Sequence, residues 1–134
     1  MRLVLADTSA LVAMRDSADA HHHAALEWFR EASAEGVRLV VTNYILAEVH
    51  AFFCRWPDAA LGYADKIRTD PAFKVVRASA ADEAEAWAIL HRSHDKTYSF
   101  VDAVSFAVMK SLRLNAALAF DQHFRQFGRC TVLP

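Results

Sequence analysis

Residues 2–14 read RLVLADTSALVAM, and this stretch decides the fold class. The run RLVLA at 2–6 has the length and apolar content of a buried β-strand. After Asp7 the apolar residues change to helical spacing, from Thr8 to Met14. A buried strand that leads directly into a helix is typical of an α/β protein, and it places Asp7 at the carboxyl end of the strand.

The same alternation continues along the chain. Further strands are predicted at 37–41, 73–77 and 116–120, with an edge strand at 130–133. Further helices are predicted at 20–35, from Thr42 or Asn43 to Trp56, from Pro57 to Asp70, from Ser79 or Asp82 to Leu90, at 99–112 and, as a short turn, at 123–127. Strands separated by helices imply β–α–β crossovers, so we expect a mostly parallel sheet of four to five strands with helices on both faces.

Length and composition indicate one domain spanning residues 1–134. The 54% hydrophobic content supports a full core, and only three Gly and three Pro interrupt it. No apolar run approaches the roughly 20 residues that cross a bilayer, and the N-terminal run is too short for a signal peptide, so we expect a cytoplasmic protein. Its two cysteines, Cys54 and Cys130, would then stay reduced.

The balance of charge excludes a strong overall attraction to nucleic acid. The chain has 15 basic and 16 acidic side chains, for a net charge of −1. If four acidic residues bind a cation, however, the remaining surface is slightly basic, and a local RNA-binding face stays possible.

Four carboxylates stand where a strand ends or a helix begins. In an α/β sheet the carboxyl ends of the strands share one edge, where ligands collect. Like charges gathered there are costly unless a cation holds them together, and a hard divalent ion such as Mg²⁺ or Mn²⁺ prefers oxygen ligands. The predicted metal ligands and catalytic residues are Asp7, Glu48, Asp102 and Asp121.

Each of these carboxylates also has a purely structural interpretation. Asp7 and Asp121 could cap the helical segments that follow them, and Asp102 could complete a capping box with Ser99. Glu48 has the weakest structural interpretation, because it lies in an otherwise apolar helix where an unpartnered carboxylate is expensive.

Considered together, these segments resemble the PIN-domain ribonucleases of the VapC toxin type, found in bacterial toxin–antitoxin pairs. The resemblance rests on LVLADTSALVA at 3–13, VVTNYILAEV at 40–49, TYSFVDAVSFAVMK at 97–110 and ALAFDQHF at 117–124. It implies a PIN-like three-layer α/β/α sandwich, a metal-dependent endoribonuclease, a homodimer and an antitoxin encoded alongside. The acidic set of the family is complete here, and its small polar residues correspond to Thr8, Ser9, Thr42, Asn43 and Ser99.

One or two metal ions would reverse the negative charge of the site, orient an RNA phosphate and lower the pKa of an attacking water. Asp7 and Asp102 are the first choice for direct ligands, since both lie at the ends of rigid elements. Asp121 would ligate directly or through water, and Glu48 would hold a water or a second ion. Supporting roles that fix carboxylate rotamers are assigned to Thr8, Ser99 and Asn43.

Basic side chains flank the predicted site on both sides. We interpret them as a phosphate-steering rim, although solvated helix ends are an alternative. These rim residues are His94, Lys96, His123 and Arg125. The run His21–His23 cannot chelate one ion, because consecutive helical residues point in different directions, and a solvated or loop-packing role is expected.

An apolar cluster of Phe52, Phe53 and Trp56 is interpreted as core or as a partner surface.

Three other functions remain open at this point. The chain could be a solitary PIN-domain RNA-processing nuclease rather than a toxin. It could be a metal-independent ribonuclease that uses His94 and His123 as acid and base, which leaves the carboxylates unexplained. It could be a non-catalytic module of receiver-like topology, but Asp7 has no acidic neighbour and the third strand, FKVVRA at 73–78, ends without an aspartate.

Overall fold

The structure is a computed structural model that describes residues 2–134. Five strands and seven helices lie within that range. The strands are β1 (Leu3–Ala6), β2 (Arg38–Thr42), β3 (Phe73–Val76), β4 (Ala116–Leu118) and β5 (Thr131–Leu133). The helices are α1 (Thr8–Arg15), α2 (His22–Ala34), α3 (Asn43–Phe53), α4 (Pro57–Thr69), α5 (Ala80–Arg92), α6 (Phe100–Leu112) and α7 (His123–Phe127).

The five strands form one sheet in the order β3-β2-β1-β4-β5, and every pairing in it is parallel. The predicted α/β/α sandwich is therefore confirmed. From β1 the chain builds outward through β2 and β3, then crosses back to place β4 on the other side of β1. The carboxyl ends of β1 and β4 thus flank the point where the strand order reverses, which is where open α/β sheets bind ligands.

The core is built on the central strands and on α6. Val4, Leu5 and Ala6 of β1 are completely buried, as expected for a strand covered on both faces. In α6, eight consecutive residues from Asp102 to Met109 are buried. A helix that is buried on all sides is an interior element. The first turn of α6, which contains Asp102, is therefore held rigidly in the core.

Side-chain caps begin three of the seven helices, α3, α5 and α6. Thr42 accepts a hydrogen bond from the Ile45 amide at 3.0 Å, and Ser79 and Ser99 each open a capping box. Substituting a capping Ser or Thr by Ala typically costs about 1 kcal/mol. The prediction of a Ser99–Asp102 capping box is confirmed.

Two elements end two or three residues before the position predicted from the sequence. Helix α3 ends at Phe53 rather than Trp56, because Trp56 adopts a non-helical backbone that starts α4 with Pro57 in its first turn. Strand β4 ends at Leu118 rather than Phe120, because the Phe120 amide binds the Ser9 hydroxyl at 3.0 Å instead of a neighbouring strand.

Within residues 2–134, no helix combines the length and apolar character that crossing a membrane requires. Cys54 and Cys130 are both free thiols.

Candidate active site

Three of the four predicted carboxylates converge at the topological switch point. Asp7 follows β1, Asp121 follows β4, and Asp102 lies in the first turn of α6. One carboxylate oxygen each from Asp102 and Asp121 and one nitrogen of His123 lie within 4.8 Å of one another. Asp7 is close enough to both aspartates for their charges to raise its pKa. The chain thereby brings together groups more than 90 residues apart.

Asp7 is the most deeply buried member of the set, with 2% of its surface exposed. Burial raises its pKa well above the ordinary value of 3.8, and the nearby charges of Asp121 and Asp102 raise it further. Although it occupies the N-cap position of α1, its side chain makes no capping hydrogen bond. The structural interpretation of Asp7 as a helix cap is therefore wrong, and the buried carboxylate faces the other acids instead.

Ser9 supports Asp7 and was not among the residues given a role from the sequence. Its hydroxyl donates to Asp7 Oδ2 at 3.1 Å and accepts from the Phe120 amide at 3.0 Å. One side chain therefore connects the end of β1 to the loop that carries Asp121. The signal was present in the sequence as the triplet Asp7-Thr8-Ser9, but only the sheet order places Phe120 beside it.

Asp102 combines a structural and a site role. Its Oδ2 accepts from the Ser99 amide at 2.9 Å, and its own amide donates to Ser99 Oγ at 3.0 Å. Burial raises the pKa of this carboxyl, while the Ser99 amide and His123 act in the opposite direction. The capping box with Ser99 thus holds the Asp102 carboxylate in one orientation, close to Asp121 and His123.

Glu48 reaches the site edge from α3 through Thr8. The Thr8 hydroxyl donates to Glu48 Oε1 at 2.5 Å, which joins α3 to the first turn of α1 directly after Asp7. The hydroxyl orients the carboxylate, as expected for Thr8. Glu48 lies outside the tight group formed by Asp102, Asp121 and His123, in keeping with a more peripheral part in the site.

His123 belongs to the acidic site itself, which corrects its assignment to the outer rim. Its Nδ1 lies 2.8 Å from Asp102 Oδ2 and 3.9 Å from Asp121 Oδ1, and its Nε2 lies 3.3 Å from Thr97 Oγ1. The His123 amide also donates to Asp121 Oδ1 at 2.9 Å. The spacing Asp121-x-His123 could have indicated this, because an aspartate that accepts from the second amide after it draws that residue towards its own carboxylate.

Asn43, predicted from the sequence to support a site carboxylate, has a different hydrogen-bond partner in the structure. Its Oδ1 accepts from the Ala78 amide at 2.9 Å, so Asn43 joins the start of α3 to the segment between β3 and α5. Within residues 2–134 it makes no hydrogen bond to any of the four carboxylates.

The other rim residues are exposed. His94 Nδ1 lies 3.2 Å from the carbonyl oxygen of His91, and Lys96 pairs with Asp95 at 3.1 Å. Arg125 lies on α7, two residues beyond His123.

The three histidines at 21–23 diverge, as predicted. His21 stacks on Phe120, His22 hydrogen-bonds the Ala13 carbonyl at 2.7 Å, and the exposed His23 faces Glu27.

The donor set fits a hard divalent cation. Among residues 2–134, none of the four site carboxylates forms a salt bridge to a lysine or arginine. Their oxygens are partly held by hydroxyl and amide donors, which orient a carboxylate without neutralising it. A buried carboxylate such as Asp7 is stable in its charged form only with a compensating cation, and oxygen donors of this kind suit Mg²⁺ or Mn²⁺.

A sequence model described as the PIN domain matches residues 4–129. The chain belongs to the PIN domain family.

This PIN domain has curated relatives over nearly its whole length. It is 34% identical over 133 residues to the 23S rRNA-specific endonuclease VapC20 of Mycobacterium tuberculosis, covering 98% of this chain and 99% of that protein. It is 29% identical over 139 residues to the ribonuclease VapC26 of the same species, covering 98% and 100% respectively.

Solved structures agree with the PIN assignment. The crystal structure of Mycobacterium tuberculosis VapC20, described as a sarcin–ricin loop cleaving toxin, superimposes with a TM-score of 0.84 at 32% identity, covering 98% of this chain and 99% of that one. The FitAcB structure from Neisseria gonorrhoeae superimposes with a TM-score of 0.71 at 15% identity, covering 98% and 96%, which shows the shared fold.

Proposed function

We propose that this protein is a metal-dependent endoribonuclease that acts as the toxin of a toxin–antitoxin pair and cleaves the RNA of the large ribosomal subunit. The observation that carries the proposal is the convergence of Asp7, Asp102 and Asp121 at the switch point of a parallel sheet, with no lysine or arginine paired to them within residues 2–134. The 34% identity to a 23S rRNA-specific endonuclease over the whole chain supports the substrate. An rRNA substrate would place the protein in the cytoplasm.

In this proposal Asp7 and Asp102 hold the metal ion, with Asp121 beside them. A bound Mg²⁺ or Mn²⁺ would supply the positive charge that attracts the phosphodiester and would activate a water for attack on phosphorus. The protein contributes orientation. Ser9 and the capping box around Asp102 hold two carboxylate rotamers, as supporting residues commonly do around metal ligands.

Glu48 and His123 complete the site. Glu48, held by the Thr8 hydroxyl, can accept a proton or a water hydrogen at the edge of the acidic group. His123 holds Asp102 and is itself held at Nε2 by Thr97. Attack by water leaves a 5′-phosphate and a 3′-hydroxyl. His94, Lys96 and Arg125 are exposed near this rim and would bind phosphates along the RNA.

An antitoxin partner fits a groove beside the site. The groove has a volume of about 560 Å³ and contains Phe52 and Trp56, whose exposed fractions are 52% and 55%. Phe53 also lines the groove, but with 8% of its surface exposed it contributes mainly to the core. Phe52 lies one helical turn beyond Glu48 on the same face of α3, so a partner segment bound at Phe52 can extend to the acidic site.

Known complexes support this type of partner. Similar folds include the toxin–antitoxin complex from Klebsiella pneumoniae, with a TM-score of 0.67 at 16% identity. An arginine of the antitoxin could pair bidentately with the site carboxylates and displace metal or substrate. We also propose a homodimer, which size-exclusion chromatography with light scattering would test.

The proposal is tested by incubating the purified protein with purified ribosomes and with isolated 23S rRNA, each with Mg²⁺ or Mn²⁺. Cleavage sites are mapped by primer extension, with Asp7→Asn as the inactive control. We expect a single dominant cut that the variant does not make. No cleavage, or cleavage at the same site by the variant, would overturn the proposed function.

A neighbouring gene for a short protein with a DNA-binding N-terminus distinguishes a toxin from a solitary nuclease.

A further inference from the structure

His21 forms a flat stacked pair with Phe120 at the edge of the acidic site. The two ring centroids are 4.4 Å apart and their planes differ by 10°. His21 is exposed, and within residues 2–134 no second aromatic ring packs on it. Its side chain makes no capping hydrogen bond at the start of α2. The pair therefore presents one face of an imidazole to solvent, next to the residue that precedes Asp121.

Both halves of the pair are held in place. On one side, the loop before α2 is ordered by its own aspartates, because Asp19 Oδ1 accepts from the His21 amide at 2.8 Å. On the other, the Phe120 amide binds the Ser9 hydroxyl, which also donates to Asp7 Oδ2. The stacked pair is thus connected to a proposed metal ligand through two consecutive hydrogen bonds.

We propose that His21 on Phe120 is a nucleobase-binding subsite, in which the imidazole face stacks on an unpaired base of the RNA next to the cleaved phosphate. The inference rests on the proposed ribonuclease function and deepens it. Planar side chains held rigidly beside a cationic or metal-binding site are how proteins grip single-stranded RNA, since every base has a π-face. Such a platform positions the substrate and takes no part in proton transfer.

The test compares three variants on a synthetic RNA hairpin with the sequence of the sarcin–ricin loop. His21→Ala removes the ring, and His21→Phe keeps a ring that cannot carry a proton. His23→Ala is the matched control, because His23 is an exposed neighbour in the same triplet with 92% of its side chain accessible.

We expect His21→Ala to raise KM about tenfold, the loss of one base-stacking contact, with kcat little changed. His21→Phe should restore KM, and His23→Ala should match the wild type. Unchanged KM in His21→Ala would overturn the inference while leaving the nuclease function standing. Loss of kcat in both His21 variants would instead show proton transfer and would also overturn it.

A second measurement identifies the stacked base. Abasic nucleotides are placed one at a time on either side of the cleavage site. At one position the abasic substitution should raise KM for the wild type and for His21→Phe but have no further effect on His21→Ala, since the same contact is already lost. Equal effects at every position in all proteins would contradict a base-binding subsite. If the wild type cleaves no RNA at all, the proposed function falls and this inference falls with it.

Discussion

The imidazole Nδ1 of His123 lies 2.8 Å from the carboxylate Oδ2 of Asp102. This contact gives the histidine a role other than the rim position predicted from the sequence, since it orients a carboxylate inside the site. With its Nε2 facing Thr97, both ring nitrogens of His123 have a partner. A histidine held on both sides is suited to positioning Asp102 and poorly suited to proton exchange with RNA.

The histidine contact predicts the behaviour of a double variant. In His94→Ala/His123→Ala, we expect cleavage to fall about 10- to 100-fold, as is typical when a residue that orients a metal ligand is lost. His94→Ala alone removes one phosphate contact of the rim, so it should raise KM slightly and leave kcat near the wild-type value. The remaining activity should still stop with a chelator and still yield 5′-phosphates. Chelator-resistant cleavage by the wild type with cyclic phosphate ends would favour the histidine mechanism instead.

Asp7→Asn should abolish cleavage and leave the fold intact. In metal-free protein the pKa of Asp7 is raised, so the stabilisation due to its proton is complete below 3.8 and is lost as the pH rises through the folded-state pKa. At neutral pH the Asp7 carboxyl therefore costs stability relative to acid pH, and asparagine, which does not titrate, avoids that cost. In chelator-containing buffer at pH 7, the Tm of Asp7→Asn should equal or exceed that of the wild type.

The control for this variant is Asp65→Asn, which removes a carboxylate paired with Arg68 on the exposed surface of α4. It should cleave RNA as the wild type does. Full activity of Asp7→Asn would show that Asp7 is not part of the catalytic site.

Divalent ions should be required for activity and should stabilise the protein. A ligand that binds only the folded state at 100 times its Kd adds about 2.7 kcal/mol to the free energy of unfolding. We expect Mg²⁺ or Mn²⁺ to raise the wild-type Tm, and the rise to be much smaller in Asp7→Asn. Differential scanning fluorimetry with and without a chelator measures both. An equal rise in the two proteins would indicate that the ion binds elsewhere.

Ser9→Ala should lower activity because it releases both Asp7 and the backbone of Phe120. A loss of about 10- to 100-fold in metal affinity or activity is the usual size of such an effect. The exposed serine of α2, in Ser33→Ala, is the control and should have no effect. The activity could fall because the metal binds more weakly or because the loop that carries Asp121 is misplaced. Steady-state cleavage over a Mn²⁺ titration separates these two causes, because a high Mn²⁺ concentration restores activity only in the first case.

Trp56→Glu should weaken antitoxin binding without reducing RNA cleavage by the free toxin. The control is Leu61→Glu, because Leu61 on α4 is as exposed as Trp56, at 54% against 55%, and lies outside the groove lining. Co-purification with the neighbouring gene product and a cleavage assay on each complex provide the measurement. Undiminished inhibition of Trp56→Glu would place the partner on another surface.

The local sequence determines much of the secondary structure of this protein and its helix caps. Apolar runs such as 3–6 followed by helical spacing specify strands and helices because side-chain periodicity is a property of each element by itself. The Ser99–Asp102 capping box and the cap at Thr42 are equally local, since their partners lie three residues away. Three of the candidate metal ligands were also recognisable, because Asp7 and Asp121 follow strands and Asp102 opens a helix, while Glu48 stood out as a carboxylate in an apolar helix.

Only the tertiary structure decided which of these groups share a site. Strand order places the end of β4 beside the end of β1, and that pairing sets Ser9 between Asp7 and Phe120. The packing of the buried helix α6 then places Asp102 beside His123. Tertiary packing also gives the side-chain oxygen of Asn43 to the Ala78 amide. Such contacts join residues 21 to 111 positions apart, and no local periodicity or cap encodes them. They arise when the crossovers dock buried faces against one another, which depends on the whole sheet.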